Sequence, residues 1–264
     1  MMTAKIRNSP IALSIIFTLM LTVLFIVPAL FLQDYFEQLG TLTQWLLSSV
    51  INIIVAVIAM ILLGIVNETN GFKHVFKTKG LAKGLIVLIP ATLLFIFGYM
   101  ISLRGAVTAD NVHIWTILFA VLSAATSALM QNILFRGLLA TALLVKHSGS
   151  EKVRVRSVFK AAALFWVVYI LMHAISGNGI GHMQLVNTFI VGSALFAAYL
   201  YSRNLMSLVL AQWAWGTLGS VMNLFVVEGY TQVPLLVIAW VAILALIVVF
   251  TVKFSKRAEP FYCC

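Results

Sequence analysis

The chain has 264 residues, of which 62% are hydrophobic and only 9% charged, where a water-soluble domain carries about 25% charged residues. With a mean hydropathy of +1.09, this excludes a soluble enzyme. The formal charge of +10 is read as the basic loops of a polytopic membrane protein rather than as a nucleic-acid surface.

About 20 apolar residues cross a bilayer, and eight runs meet that length or come close to it. In chain order they are Ile11–Leu32, Gln44–Val66, Leu81–Leu103, Ile114–Val145, Val158–Ile175, Met183–Tyr201, Leu205–Val227 and Val233–Val252. The first follows Lys5 and Arg7, is too long for a signal-peptide core and has no small-residue cleavage site after it, so it is read as a retained helix. The fourth is long enough for about 48 Å of helix. It is expected either as one tilted helix or with a break near Ser123–Ser127. The expected fold class is all-α: one integral membrane domain over 1–264, a bundle of about eight transmembrane helices, with its core over 114–225.

Loop charge supports this count. With eight spans both termini share a side, and 15 of the 17 basic residues fall there; Arg104 lies opposite and Arg136 lies within span four. That bias predicts cytoplasmic termini, in a bacterial cytoplasmic membrane. Asn70–Gly71 and the run Gly177-Asn178-Gly179-Ile180-Gly181 are read as turns. The two cysteines, Cys263 and Cys264, end the chain. They offer no disulfide framework or metal spacing within the fold. A lipid on them is conceivable, though the C-a-a-X pattern is absent.

Span four contains Met130-Gln131-Asn132-Ile133-Leu134-Phe135-Arg136-Gly137. An arginine at a helix centre in hydrocarbon costs roughly 2.5–3.5 kcal/mol on insertion scales, so it marks a site or finds a partner. Asn132 and Arg136, four residues apart, share a helix face. Arg136 could also snorkel, being about 13 Å from the cytoplasmic end, or bond backbone carbonyls. Helical rise puts Gln131 about 21 Å deep, His173 about 20 Å and Trp215 about 18 Å, with Gly219 one turn further. His173 is either a neutral histidine bonded to a neighbouring helix or a present or former ligand. Gln212, Trp215 and Gly219 share a face that ordinary close packing would explain. Asn187 and Asn223 suit interhelical hydrogen bonds, and His182 a solvated turn.

These residues resemble the CPBP intramembrane proteases, the Abi or CAAX-protease family. Its first motif is a Glu-Glu pair, three residues and Arg; Gln131, Asn132 and Arg136 occupy those positions, followed by Gly137-Leu138-Leu139. Its second, an aromatic residue, three residues and His, fits Tyr169 and His173. The run from Gly192 through Tyr199-Leu200-Tyr201-Ser202-Arg203-Asn204-Leu205-Met206-Ser207-Leu208 resembles the lead-in to the third motif. That motif, His, three residues and Asn or Asp, falls by spacing on Trp215 and Gly219. The resemblance covers about Ile114 to Phe225 and implies an eight-span fold with cytoplasmic termini. It also implies an active site in which the first Glu activates water and the histidines hold the reacting groups, directly or through a metal.

The departures bear on chemistry. Glutamine and asparagine take up no proton, and tryptophan replaces no ligating imidazole. All seven acidic residues, Asp34, Glu37, Glu68, Asp110, Glu151, Glu228 and Glu259, fall in loops or tails. A positioned acid or base is worth roughly 10²–10⁴-fold in rate, and catalytic zinc normally takes three protein ligands. The sequence therefore predicts a degenerate site without a cofactor. It would bind a peptide or membrane-protein partner, scaffold a membrane complex or give bacteriocin self-immunity. The alternative is an active endopeptidase, cleaving C-terminal CAAX-like or leader peptides, with zinc and a rearranged site that uses His173, with or without His182. A small-solute transporter is disfavoured, since neither a repeat nor paired intramembrane charges appear.

Overall fold

The computed structural model describes residues 40–67, 71–102, 107–108, 112–140, 162–168, 182–228 and 234–255, with single positions at 12, 16, 18–20, 23, 160 and 170. The helices are α1 (Thr41–Asn67), α2 (Gly71–Val75), α3 (Leu81–Ser102), α4 (Ile114–Gln131), α5 (His182–Ser202), α6 (Leu205–Phe225) and α7 (Pro234–Ser255). Two short strands, β1 (Val107–Thr108) and β2 (Val226–Glu228), pair antiparallel and tie the end of α6 to the segment between α3 and α4. Among the described residues the architecture is otherwise helical, as expected from a chain of this hydropathy.

Among the described residues four stretches are long and apolar enough to cross a membrane, Leu42–Ile65, Leu81–Gly98, Ile114–Leu138 and Leu205–Met222, and Thr188–Ser202 and Val237–Thr251 are shorter apolar helices. Each matches one of the runs read from the sequence. Most of the first run, Ile11–Leu32, and half of Val158–Ile175 lie outside the described residues, as do the Gly177–Gly181 turn and the two cysteines. Gly71, read as a turn residue, instead opens the short helix α2. Many large apolar side chains remain on the outer faces, among them Ile54, Ile65, Ile86, Leu93, Ile238 and Leu246. In water such a surface would be a liability; against lipid tails it costs nothing.

Packing places α4 between α1 and α6, α3 between α6 and α7, and α5 against α7. Close approach of α3 to α6 is set by Gly84, where a Cβ would collide with the Ser207 side chain. Just before α3, Gly80 turns the chain at φ +85°, a region glycine enters freely. The junction of α5 and α6 is as tight. Arg203, at φ +56°, donates its backbone N–H to Tyr199 (2.8 Å) and ends α5. Asn204 then caps α6, its Oδ1 accepting the N–H of Ser207 at 2.8 Å, the usual use of asparagine at this position. Its Nδ2 donates to the carbonyls of Lys77 (2.6 Å) and Lys79 (3.1 Å). One fully buried side chain thus starts α6 and fixes it to the α2–α3 connection.

Over its described residues the fourth run is one continuous helical stretch with no break near Ser123–Ser127, but its helix type changes partway. It is α-helical to Gln131 and then π-helical over Asn132–Ala140. At the switch, Nδ2 of Asn132 donates to the Ala128 carbonyl at 2.7 Å, an acceptor the α-helical ladder also uses through the backbone N–H of Asn132. A side chain competing for a ladder carbonyl is a recognised way to disturb a helix, and wide turns of this kind gather at functional sites.

Candidate functional site

The π-helical segment packs against α1, α5 and α6, and its side chains from Asn132 to Leu138 are all buried. The polar members meet one residue of α6. Gln212 Oε1 accepts from Asn132 Nδ2 at 3.0 Å and from Arg136 Nη1 at 3.1 Å. Its Nε2 donates to Gln131 Oε1 at 2.6 Å, and Gln131 Nε2 donates to Ser127 Oγ at 3.1 Å. The result is a chain of neutral groups, Ser127–Gln131–Gln212–Asn132, that ends on a guanidinium. Asn132 is 0% and Arg136 1% exposed. Arg136 does not snorkel. Its guanidinium carbon lies 5.1 Å from the Phe165 ring centroid and 5.2 Å from that of Phe196. Ring faces attract a desolvated cation by about 2 kcal/mol, and a hydrogen bond to a charged group adds about 1.5–3 kcal/mol. These contacts offset part of the cost of keeping Arg136 in the interior.

Three of the residues picked out from the sequence are therefore brought together: Gln131, Asn132 and Arg136. Trp215 and Gly219 are not part of this cluster. Trp215 is buried against α3 and α7, donating from Nε1 to Thr92 Oγ1 at 2.9 Å, with its ring 6.3 Å from Phe95 and 5.9 Å from Trp240. Gly219 stands seven residues beyond Gln212, about 10 Å of helical rise. The α6 residue that reaches the first-motif positions is Gln212, one turn before Trp215. Its signal in the sequence was its amide and its place on the Trp215–Gly219 face, which also suited plain packing. His173 and Tyr169 lie outside the described residues. His182 begins α5, and Asn187 and Asn223 fall within α5 and α6.

Chemically, the cluster can donate and accept hydrogen bonds and can present a positive charge. Its amides cannot take up a proton at neutral pH, so they supply no general base. Among the described residues, no three His, Cys, Asp or Glu side chains converge. The family resemblance implies a metal, and the described donors do not fit zinc. Amide oxygens are poor partners for it beside imidazole and thiolate, and the central one, on Gln212, already faces a guanidinium 3.1 Å away that would repel a cation.

Away from this cluster, His74 on α2 lies 3.2 Å from the Tyr199 hydroxyl (Nε2 to Oη) near the end of α5. Burial, with the neighbouring Lys77 charge second, pushes its pKa down to about 4.

These features define an integral membrane protein, a helical bundle that keeps an amide–guanidinium cluster between one irregular span and α6. Residues 113–218 match the family model described as Rce1-like, type II CAAX prenyl endopeptidase. This segment is thus similar to the CPBP, or CAAX-protease, family, and the match spans α4, its π-helical extension, His173 and Gln212. Gly219 falls one residue beyond it. No curated protein and no solved structure matches the chain.

Proposed function

We propose that this is a CPBP-type membrane protein whose pocket holds a peptide or a partner helix without cutting it. The observation that carries this reading is the hydrogen-bonding of Gln212 to Gln131, Asn132 and Arg136. The third motif is read here on Gln212 and Gly216, one turn earlier than spacing alone suggested. With that register the acid pair and the third-motif histidine are all replaced by amides. Each amide satisfies another, so the pocket keeps a defined shape while lacking a proton acceptor. A connected polar network of this kind specifies its packing more sharply than isolated polar groups do, although Oδ1 of Asn132 and Nε of Arg136 have no partner among the described residues.

The full bundle is read as eight spans with both termini in the cytoplasm, in keeping with the basic bias of the loops. Sequestering a peptide, scaffolding a membrane complex and bacteriocin self-immunity are the roles such a non-cleaving pocket would serve. The competing reading, an active endopeptidase using His173 and a zinc ion, draws on the family match. Incubating the purified protein with S-prenylated CAAX-type and leader peptides, with and without chelator, separates the two. Binding without product is the expected result. Chelator-sensitive cleavage that His173→Ala abolishes would overturn it.

A further inference from the structure

The connection between α1 and α3 is basic and is pinned to the bundle at several points. Residues 68–83 hold Lys73, Lys77, Lys79 and Lys83 against one acid, Glu68, a net charge of +3 with His74 neutral. Gly71 packs on the Met60 carbonyl and on Gly64 of α1, where a Cβ has no room. Val75 is fully buried. His74 meets the Tyr199 hydroxyl of α5, and Asn204 holds the carbonyls of Lys77 and Lys79.

Pinning leaves one side open. The turn that buries Gly71 and Val75 exposes Phe72 by 43% and Phe76 by 50%. The two stand one turn apart, joined by the bond from the Phe76 N–H to the Phe72 carbonyl at 3.0 Å. Lys73, Lys79 and Lys83 are exposed as well. The contact of Gly71 with Met60 and Gly64 sets the start of α2 beside the last turns of α1, whose membrane-length stretch ends at Ile65. At that level hydrocarbon gives way to headgroups. An aromatic ring can sink among acyl chains there, while a lysine stem carries its ammonium out to the phosphates.

Acid is scarce at this end. Among the described residues the one acid is Glu228, whose strand pairs with β1 beyond the opposite end of α3, about 33 Å of helix away. Arg203 and Lys253 add to the basic end. Asn204, next to Arg203, bonds the lysine carbonyls, and Phe250, three residues before Lys253, lies 6.1 Å from Tyr201. We propose that α2 and the turn after it, Phe72 to Lys83, form an interfacial site for an acidic phospholipid, with Lys73, Lys79 and Lys83 on its phosphate and Phe72 and Phe76 on its acyl chains. A soluble acidic partner would use the lysines but leave two rings in water. The site is separate from the amide–guanidinium cluster and stands whatever that pocket holds.

The test uses the full chain in nonionic detergent micelles holding equal amounts of phosphatidylglycerol and phosphatidylcholine with identical acyl chains. The protein is captured and washed, and the lipid that stays with it is measured. A lysine near an anionic membrane surface gains about fivefold in affinity, so phosphatidylglycerol should be retained about tenfold or more over phosphatidylcholine. Lys73→Gln, Lys79→Gln and Lys83→Gln together should remove most of that preference and leave the thermal midpoint unchanged, since all three side chains are exposed. A matched control takes three charges from near the chain ends, Lys5→Gln, Lys256→Gln and Arg257→Gln, and should keep the preference. Phe72→Ser with Phe76→Ser should lower retention of both lipids and leave their ratio. Added salt should weaken the preference, because these charges are exposed. Equal retention of the two lipids by the unaltered chain would overturn the proposal outright. An equal loss in the chain-end control would overturn it too, by showing that net charge and not this site selects the lipid. Displacement of the lipid by glycerol phosphate would overturn the membrane assignment in favour of a free anion. Unchanged retention in the phenylalanine variant would overturn the placement of α2 in the interface.

Discussion

Oε1 of Gln212 lies 3.1 Å from Nη1 of Arg136 and so gives a buried cation its hydrogen bond from the neighbouring helix. The same oxygen serves Asn132 at 3.0 Å. Gln212→Leu therefore removes an acceptor from two donors at once and leaves the guanidinium with ring contacts only. Stranding a buried polar group costs about 1–3 kcal/mol, and more when it is charged. The variant should lose at least about 3 kcal/mol, read as a lowered thermal midpoint in detergent. Gln212→Glu should retain the midpoint, because the carboxylate pairs with Arg136. Equal loss in both variants would show that volume, not the acceptor, is what matters at this position.

The third-motif register has its own consequence. Changing Gln131 and Asn132 to glutamate is expected to leave the protein without peptidase activity, since the α6 position of the cluster would still be an amide. Adding Gln212→His supplies the missing imidazole at the place where the cluster converges. Adding Trp215→His instead puts an imidazole beside Thr92 and Trp240, on the α3–α7 side of α6. Any chelator-sensitive cleavage should thus appear only in the set containing Gln212→His. The gain is bounded by the roughly 10²–10⁴-fold a positioned acid or base provides. Cleavage by the Trp215→His set would return the motif to the spacing-based register.

How far the sequence alone reached follows from the kind of information each residue carries. The spans among the described residues were legible because hydropathy acts over about twenty residues and needs no partner. The pairing of Asn132 with Arg136 was legible because their spacing survives the change from α- to π-helix. The π-helical turn itself was not. It depends on which donor takes the Ala128 carbonyl, and no periodicity records that. Burial of Arg136 was not legible either: snorkelling and burial share one sequence, and Phe165, Phe196 and Gln212 all come from other helices. Trp215, reached by counting along the chain, and Gln212, the proposed register, are one turn apart, and that register rests on the packing of α6 against α4 and α3.

Asn204 offers a test of the fold that leaves the cluster alone. Asn204→Ala loses the cap on α6 and both bonds to the Lys77 and Lys79 carbonyls. A lost cap costs about 1 kcal/mol, and the stranded carbonyls add about 1–2 kcal/mol. The expected loss is about 2–3 kcal/mol, with faster amide exchange over residues 77–80 and 205–208. Asn204→Asp should keep the cap but lose the bonds to both carbonyls, giving an intermediate value. If exchange rises in α6 alone, the side chain caps that helix without anchoring the α2–α3 connection.

His74 sets a pH dependence whose sign can be worked out. Its pKa in the fold, about 4, lies below the ordinary 6.5. Between these values the unfolded chain binds a proton that the folded one does not, so stability rises with pH across that window. The stabilisation from a neutral, buried His74 is complete above about pH 6.5 and drains away as pH falls toward 4, where protonation beside Lys77 and under desolvation becomes unavoidable. Unfolding midpoints measured from pH 7 down to 4 should fall, and His74→Phe should flatten that part of the curve because phenylalanine has no proton to take up. Lys77→Ala should move the window upward and narrow it, by removing the second cause of the shift. A His74→Phe profile as steep as that of the unaltered protein would place the responsible group elsewhere.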